Sequence, residues 1–137
     1  MRFRNAVASL VDWRRVLARA TFDCMDGFEF VAKCKDRSGH GLYCDPPFPG
    51  PGDAYKHNCG KTVADHRAWH AKLRDALIRF NETRVVCRYY DVSLVRELYP
   101  ESAWEWRLLT GRKATNDAAP EALLVSKGKG DSTLFAA

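Results

Sequence analysis

Four of the chain's five cysteines fall close together, at Cys24, Cys34, Cys44 and Cys59, while Cys87 stands apart. Thiols can be cross-linked, can ligate a metal, or can pack as small apolar side chains. Nine residues separate Cys24 from Cys34, nine separate Cys34 from Cys44, and fourteen lie between Cys44 and Cys59. Ten positions along a helix are nearly three turns, so a helix would carry Cys24 and Cys34 on roughly one side. Four cysteines allow three pairings. The nested one, Cys24–Cys59 with Cys34–Cys44, would staple a helical hairpin and leave Cys87 as a thiol. Each bridge would contribute about 2–4 kcal/mol by restricting the unfolded chain, and would need an oxidising compartment.

The histidines offer a metal alternative. His66 and His70, at i and i+4, share one side of a helix, and Cys59 stands two turns earlier on that face. Cys44, His57 or His40 would complete a tetrahedral zinc site around Cys59, His66 and His70. No Cys-x2-Cys or Cys-x4-Cys knuckle accompanies them. Catalysis has less to stand on. A cysteine nucleophile needs a neighbouring base, and no motif joins His40, His57, His66 or His70 to any thiol. The segment Arg37-Ser38-Gly39-His40-Gly41 lacks the Gly-Lys-Ser/Thr ending of a phosphate loop. The expectation is therefore a protein that is not an enzyme, with no catalytic residue and no cofactor.

The Cys24-x9-Cys34 spacing, followed by a later cysteine pair, resembles the coiled-coil-helix family of the mitochondrial intermembrane space. That family carries twin Cys-x9-Cys helices; cytochrome c oxidase subunit VIb and several complex I accessory subunits belong to it. The resemblance covers residues 20–70, and the second pair here is Cys44-x14-Cys59. It implies a disulfide-stapled helical hairpin and a non-catalytic structural accessory subunit of a respiratory-chain complex. It also implies a place at the mitochondrial inner membrane, on the intermembrane-space side. Reduced cysteines would instead imply the cytoplasm. The alternatives are a small zinc-stabilised nucleic-acid- or protein-binding module and a bacterial or phage effector.

Elements must position these residues. At 137 residues the chain has the length of one domain. Residues 6–22 carry a helical stripe of Val7, Leu10, Val11, Leu17 and Ala20. Residues 1–20 are also Arg-rich and nearly acid-free, as a mitochondrial presequence is, although an ordinary first helix with a basic outer face is the preferred reading. Residues 22–35 suit a second helix, weakened by Gly27, or a short strand. Residues 36–52, with Pro46-Pro47-Phe48-Pro49-Gly50-Pro51-Gly52, form a Pro-rich loop. From Asp53 to Phe80 runs a long helix whose one face joins Cys59, Val63, His66, His70, Leu73, Leu77 and Phe80. Residues 84–90 are β-prone, as a strand or an extended linker. A short helix follows over 91–99, capped by Asp91 or Ser93, and another from Pro100 to Thr110, with Pro at its first position and Gly111 after its end.

The fold class expected is thus all-α or mostly α: a helical hairpin around a long 53–80 helix, with residues 1–111 as one helical domain. Residues 112–137 should be an extended tail that a partner holds. A net charge of +5 favours anionic surroundings, but the basic residues are dispersed, so nucleic acid is not the expected partner. The expected partners are other protein subunits of a large complex, with a membrane surface nearby. No apolar stretch reaches the ~18–20 residues that span a bilayer.

Overall fold

A period of two, not of 3.6, governs the second half of the chain. Val85, Cys87 and Tyr89 are buried while their neighbours in the sequence are only half-buried, which is the signature of a strand against a core. The computed structural model describes residues 13–49, 59–60, 62–109 and 120–127. Within them the order is α1 (Gly27–Lys33), β1 (Gly41–Cys44), α2 (Val63–Ile78), β2 (Arg84–Tyr90), α3 (Ser93–Leu98), β3 (Trp104–Leu108) and β4 (Glu121–Ser126). Residues 13–17 are also helical and exposed.

The strands form one mixed sheet in the order β1-β2-β4-β3. β1 runs parallel to β2, with α2 in the crossover between them, so Leu42 pairs with Val85 and Cys44 with Cys87. β4 lies antiparallel to both β2 and β3. Cross-strand partners point to the same face. Leu42 and Cys44 therefore share a face with Val85, Cys87 and Tyr89, with Ala122 and Leu124, and with Trp104 and Trp106. The helices cover this face: Val31 of α1, Leu73 and Leu77 of α2, and Val95 and Leu98 of α3 join the same buried cluster.

The all-α expectation is corrected by this sheet. The segment Pro100 to Thr110 is not a helix, because Trp104, Trp106 and Leu108 alternate with Glu105 and Arg107 as β3. The 36–52 loop contains β1. Residues 112–137, expected as a tail, supply β4, an inner strand paired on both sides. The long 53–80 helix is shorter, at Val63–Ile78, and it is a crossover helix on a sheet instead of one arm of a hairpin. Its face is also shorter than expected: His70, Leu73 and Leu77 are buried, but Val63 is 85% exposed. With the helical hairpin gone, nothing in the fold supports the mitochondrial respiratory-chain assignment that rested on it. The presequence reading of residues 1–20 falls mostly outside the described residues, as do His57 and Gly111. No helix among the described residues is long and apolar enough to cross a membrane.

The start of α2 is held by a capping box. The Thr62 side chain accepts from Asp65 N at 3.1 Å, and the Asp65 carboxylate accepts from Thr62 N at 2.9 Å. Gly60 approaches this box with φ +136°, and a Cβ placed there would stand 2.2 Å from Asp65 Cβ. Both the clash and the left-handed backbone require glycine. The variant Gly60→Ala is expected to lose about 1–3 kcal/mol of stability in urea unfolding.

Candidate functional site

The cleft that lies between the helices and the edge of the sheet begins at a helix cap. Asp26 accepts from Phe28 N at 2.9 Å and Glu29 N at 3.2 Å, which starts α1 at Gly27. One turn in, Val31 is buried toward α2, while Phe28 meets Trp69 of α2 edge-on with ring centroids 5.4 Å apart. The far end of α1 is tied down by Arg79, whose guanidinium donates to Val31 O and Cys34 O. Asp36 then accepts from the backbone N–H groups of Asn81, Glu82 and Thr83 at 2.7–3.0 Å. These three donors hold its carboxyl below the ordinary range. The clamp sets the entry of β1 beside the entry of β2, and so brings Leu42 and Cys44 opposite α1.

The result is a cavity of about 310 Å³ walled by α1, β1, the Pro46–Pro47 segment and the Trp69–Leu73 turn of α2. Its lining is apolar: Phe28, Phe30, Val31, Leu42, Trp69 and Leu73 dominate, with Cys44 among them. The charged residues on its wall, among those described, are two aspartates, Asp26 and Asp45. Asp45 lies 3.7 Å from Arg88, which binds Glu121 more closely at 2.7 Å. Phe30 on its wall is 44% exposed, apolar area left in water at the mouth.

Cys44 and Cys87 are brought together by register. They are facing partners on β1 and β2, with side chains on one face. The neighbouring Cys87 thiol holds Cys44 below the ordinary thiol range against a smaller opposing effect of burial. Cys87 is pushed well above its ordinary range, first by the neighbouring Cys44 sulfur and then by its own full burial.

Behind this wall lies an aromatic core. His70 Nδ1 is 2.9 Å from Tyr89 Oη, and Tyr89 Oη is 3.5 Å from Tyr99 Oη. Burial lowers the His70 pKa to about 4, helped by the charge of His66. His70 Nε2 is buried with no hydrogen-bond partner among the described residues. Burial likewise raises the Tyr89 and Tyr99 phenols. His70 is thus a neutral core residue that packs on Trp69 and Tyr89.

The residues singled out by sequence are scattered through this arrangement. Cys24 is exposed ahead of α1, Cys34 is the C-cap of α1, Cys44 ends β1, and Cys59 is buried ahead of α2. No disulfide joins any two of the five cysteines in the structure. For the zinc alternative, His66 bonds Gly60 O at 3.2 Å and His70 bonds Tyr89. No group of three or more His, Cys, Asp or Glu side chains among the described residues could hold a metal ion. The partner that sequence reasoning missed is Cys87. The alternation Val85-Cys87-Tyr89 marks Cys87 as facing a core, but only the strand pairing joins it to Cys44. No family model matches the chain, and no curated protein matches it.

Proposed function

We propose that this protein is a partner-binding module of a larger assembly, not an enzyme, and that its cleft receives a large apolar side chain of a partner protein flanked by a basic residue. The lining of the cleft carries the reading. A cavity of about 310 Å³ sits at the small end of the range for ligand sites, which suits one anchoring side chain better than an extended cofactor. Burial of such an anchor in a desolvated pocket is where interface energy concentrates. The exposed ring of Phe30 extends the apolar surface beyond the mouth. Asp26 and Asp45 supply the negative rim that selects a cation beside the anchor. His70, the one buried histidine among the described residues, is hydrogen-bonded to a tyrosine hydroxyl.

Selection of a random hexapeptide display library against the whole chain tests this reading. Enriched sequences are expected to pair Phe, Leu, Met or Trp with an adjacent Lys or Arg. They should lose binding to Gly27→Trp, because Gly27 lines the cleft and a Cβ there meets nothing within 4 Å. Enrichment of acidic sequences, or of sequences indifferent to that substitution, would overturn it.

A further inference from the structure

We infer that Cys44 and Cys87 form a thiol–disulfide switch in the wall of the cleft, oxidised stoichiometrically by a small-molecule disulfide that enters there. Three observations meet at this point. The two residues are register partners on adjacent strands, and adjacent strands lie about 4.7–4.9 Å apart, inside the Cα separation of about 4.4–6.8 Å that a disulfide tolerates. Their side chains leave the sheet on the same face. Only one of them, Cys44, lines the cavity, while Cys87 is fully buried behind it. Exchange needs one thiol that an incoming disulfide can reach and a second that can reach the mixed disulfide, and the register supplies both.

The Cys44 thiolate attacks one sulfur of the substrate disulfide, a Cys44–substrate S–S bond forms, the substrate's own S–S bond breaks, and the first leaving thiolate takes up a proton. The Cys87 thiol then attacks Cys44 Sγ. The Cys44–Cys87 bond forms, the Cys44–substrate S–S bond breaks, and the second substrate sulfur departs with the proton that Cys87 gives up. Two protein thiols are oxidised to one disulfide, and one substrate disulfide is reduced to two thiols. The neighbouring Cys87 thiol lowers the Cys44 pKa and so favours the first step by raising the share of attacking thiolate. The burial that raises Cys87 slows the second. This inference uses the cleft as the route of access but is indifferent to what else the cleft binds.

The test uses the whole reduced chain and oxidised glutathione as the probe. After exposure, free thiols are alkylated and the digest is mapped by mass. The expected result is a peptide linking Cys44 to Cys87 as the main product at Cys44, while exposed Cys24 carries glutathione or alkyl. In Cys87→Ser, Cys44 should accumulate as a stable glutathione adduct. Two outcomes overturn the inference: Cys44 recovered fully alkylated in the native chain, or Cys44 holding glutathione there without forwarding it. The native-chain map decides the matter even if the variant does not fold. Loss of the internal bridge with peptide binding intact would separate failure of this site from failure of the docking reading.

Discussion

Acidification from pH 6.5 to pH 4 is expected to remove about 2–3 kcal/mol of stability through His70 alone. The imidazole is 1% exposed, and burial holds its pKa at about 4 in the folded chain against about 6.5 when unfolded. Above pH 6.5 both states are neutral, and the group makes no pH-dependent difference. As the pH falls below 6.5 the unfolded chain takes up a proton that the folded chain refuses, so stability is lost until the folded pKa is passed. The effect is large because the imidazolium would have no water and would face the charge of His66. Carboxylates such as Asp36 and Asp91, whose folded pKa values are lowered, lose their contribution at the acid end of the range and below it. Urea unfolding of wild type and His70→Gln from pH 7 to pH 4 separates the two effects. The variant's stability should fall by about 2–3 kcal/mol less over that range, and parallel curves would contradict the burial of a neutral His70.

Trp104→Ala is expected to cost about 3–5 kcal/mol, a large share of the 5–15 kcal/mol that stabilises an ordinary domain. Trp104 is 1% exposed at the start of β3 and meets Tyr99 edge-on, with centroids 5.0 Å apart. Tyr99 in turn packs on Tyr89 at 5.4 Å, so the cavity left by removing the indole would open into the aromatic core behind the cleft. Trp104→Phe should cost markedly less, because it keeps most of the ring area and deletes Nε1, which is buried without a partner among the described residues. The neighbouring Glu105→Ala should stay within about 0.5 kcal/mol, since Glu105 is exposed and pairs with Arg107 on the other face of the strand. Equilibrium unfolding of the three variants would show this alternation as a large, a moderate and a negligible loss. Equal losses at positions 104 and 105 would contradict β3.

That alternation was legible in the sequence and was outweighed there. Trp104-Glu105-Trp106-Arg107-Leu108 has a period of two, but Pro100 and Gly111 frame it with the start and stop signals of a helix. Local signals of that kind yield when a neighbouring strand offers pairing, as β4 does here. β4 itself was harder to read. Its run Ala122-Leu123-Leu124-Val125 is apolar without alternation, as expected of an inner strand, and such a run has no period to show. β1 is four residues between Gly41 and Pro46, too short for any pattern. The helices fared better where packing dictates them: α2 shows its buried stripe at His70, Leu73 and Leu77, and α3 lies within the expected 91–99. The site followed the strands. Cys44 was visible as chemistry, but its partner Cys87 lies 43 positions on, and only parallel pairing of β1 with β2 joins them. Spacing along one chain carries no trace of that contact.

The central claim is that the cleft between α1, β1 and α2 binds an apolar group next to a positive charge. An amide-resolved NMR titration tests it most directly, with 2-phenylethylammonium compared against 3-phenylpropionate, which carries the same ring on a negative charge. The account predicts saturable shifts at Phe28, Val31, Leu42 and Trp69 for the cation, at least several-fold weaker binding of the anion, and loss of both in Gly27→Trp. Equal binding of the two probes, or shifts that never saturate at those four residues, would contradict it.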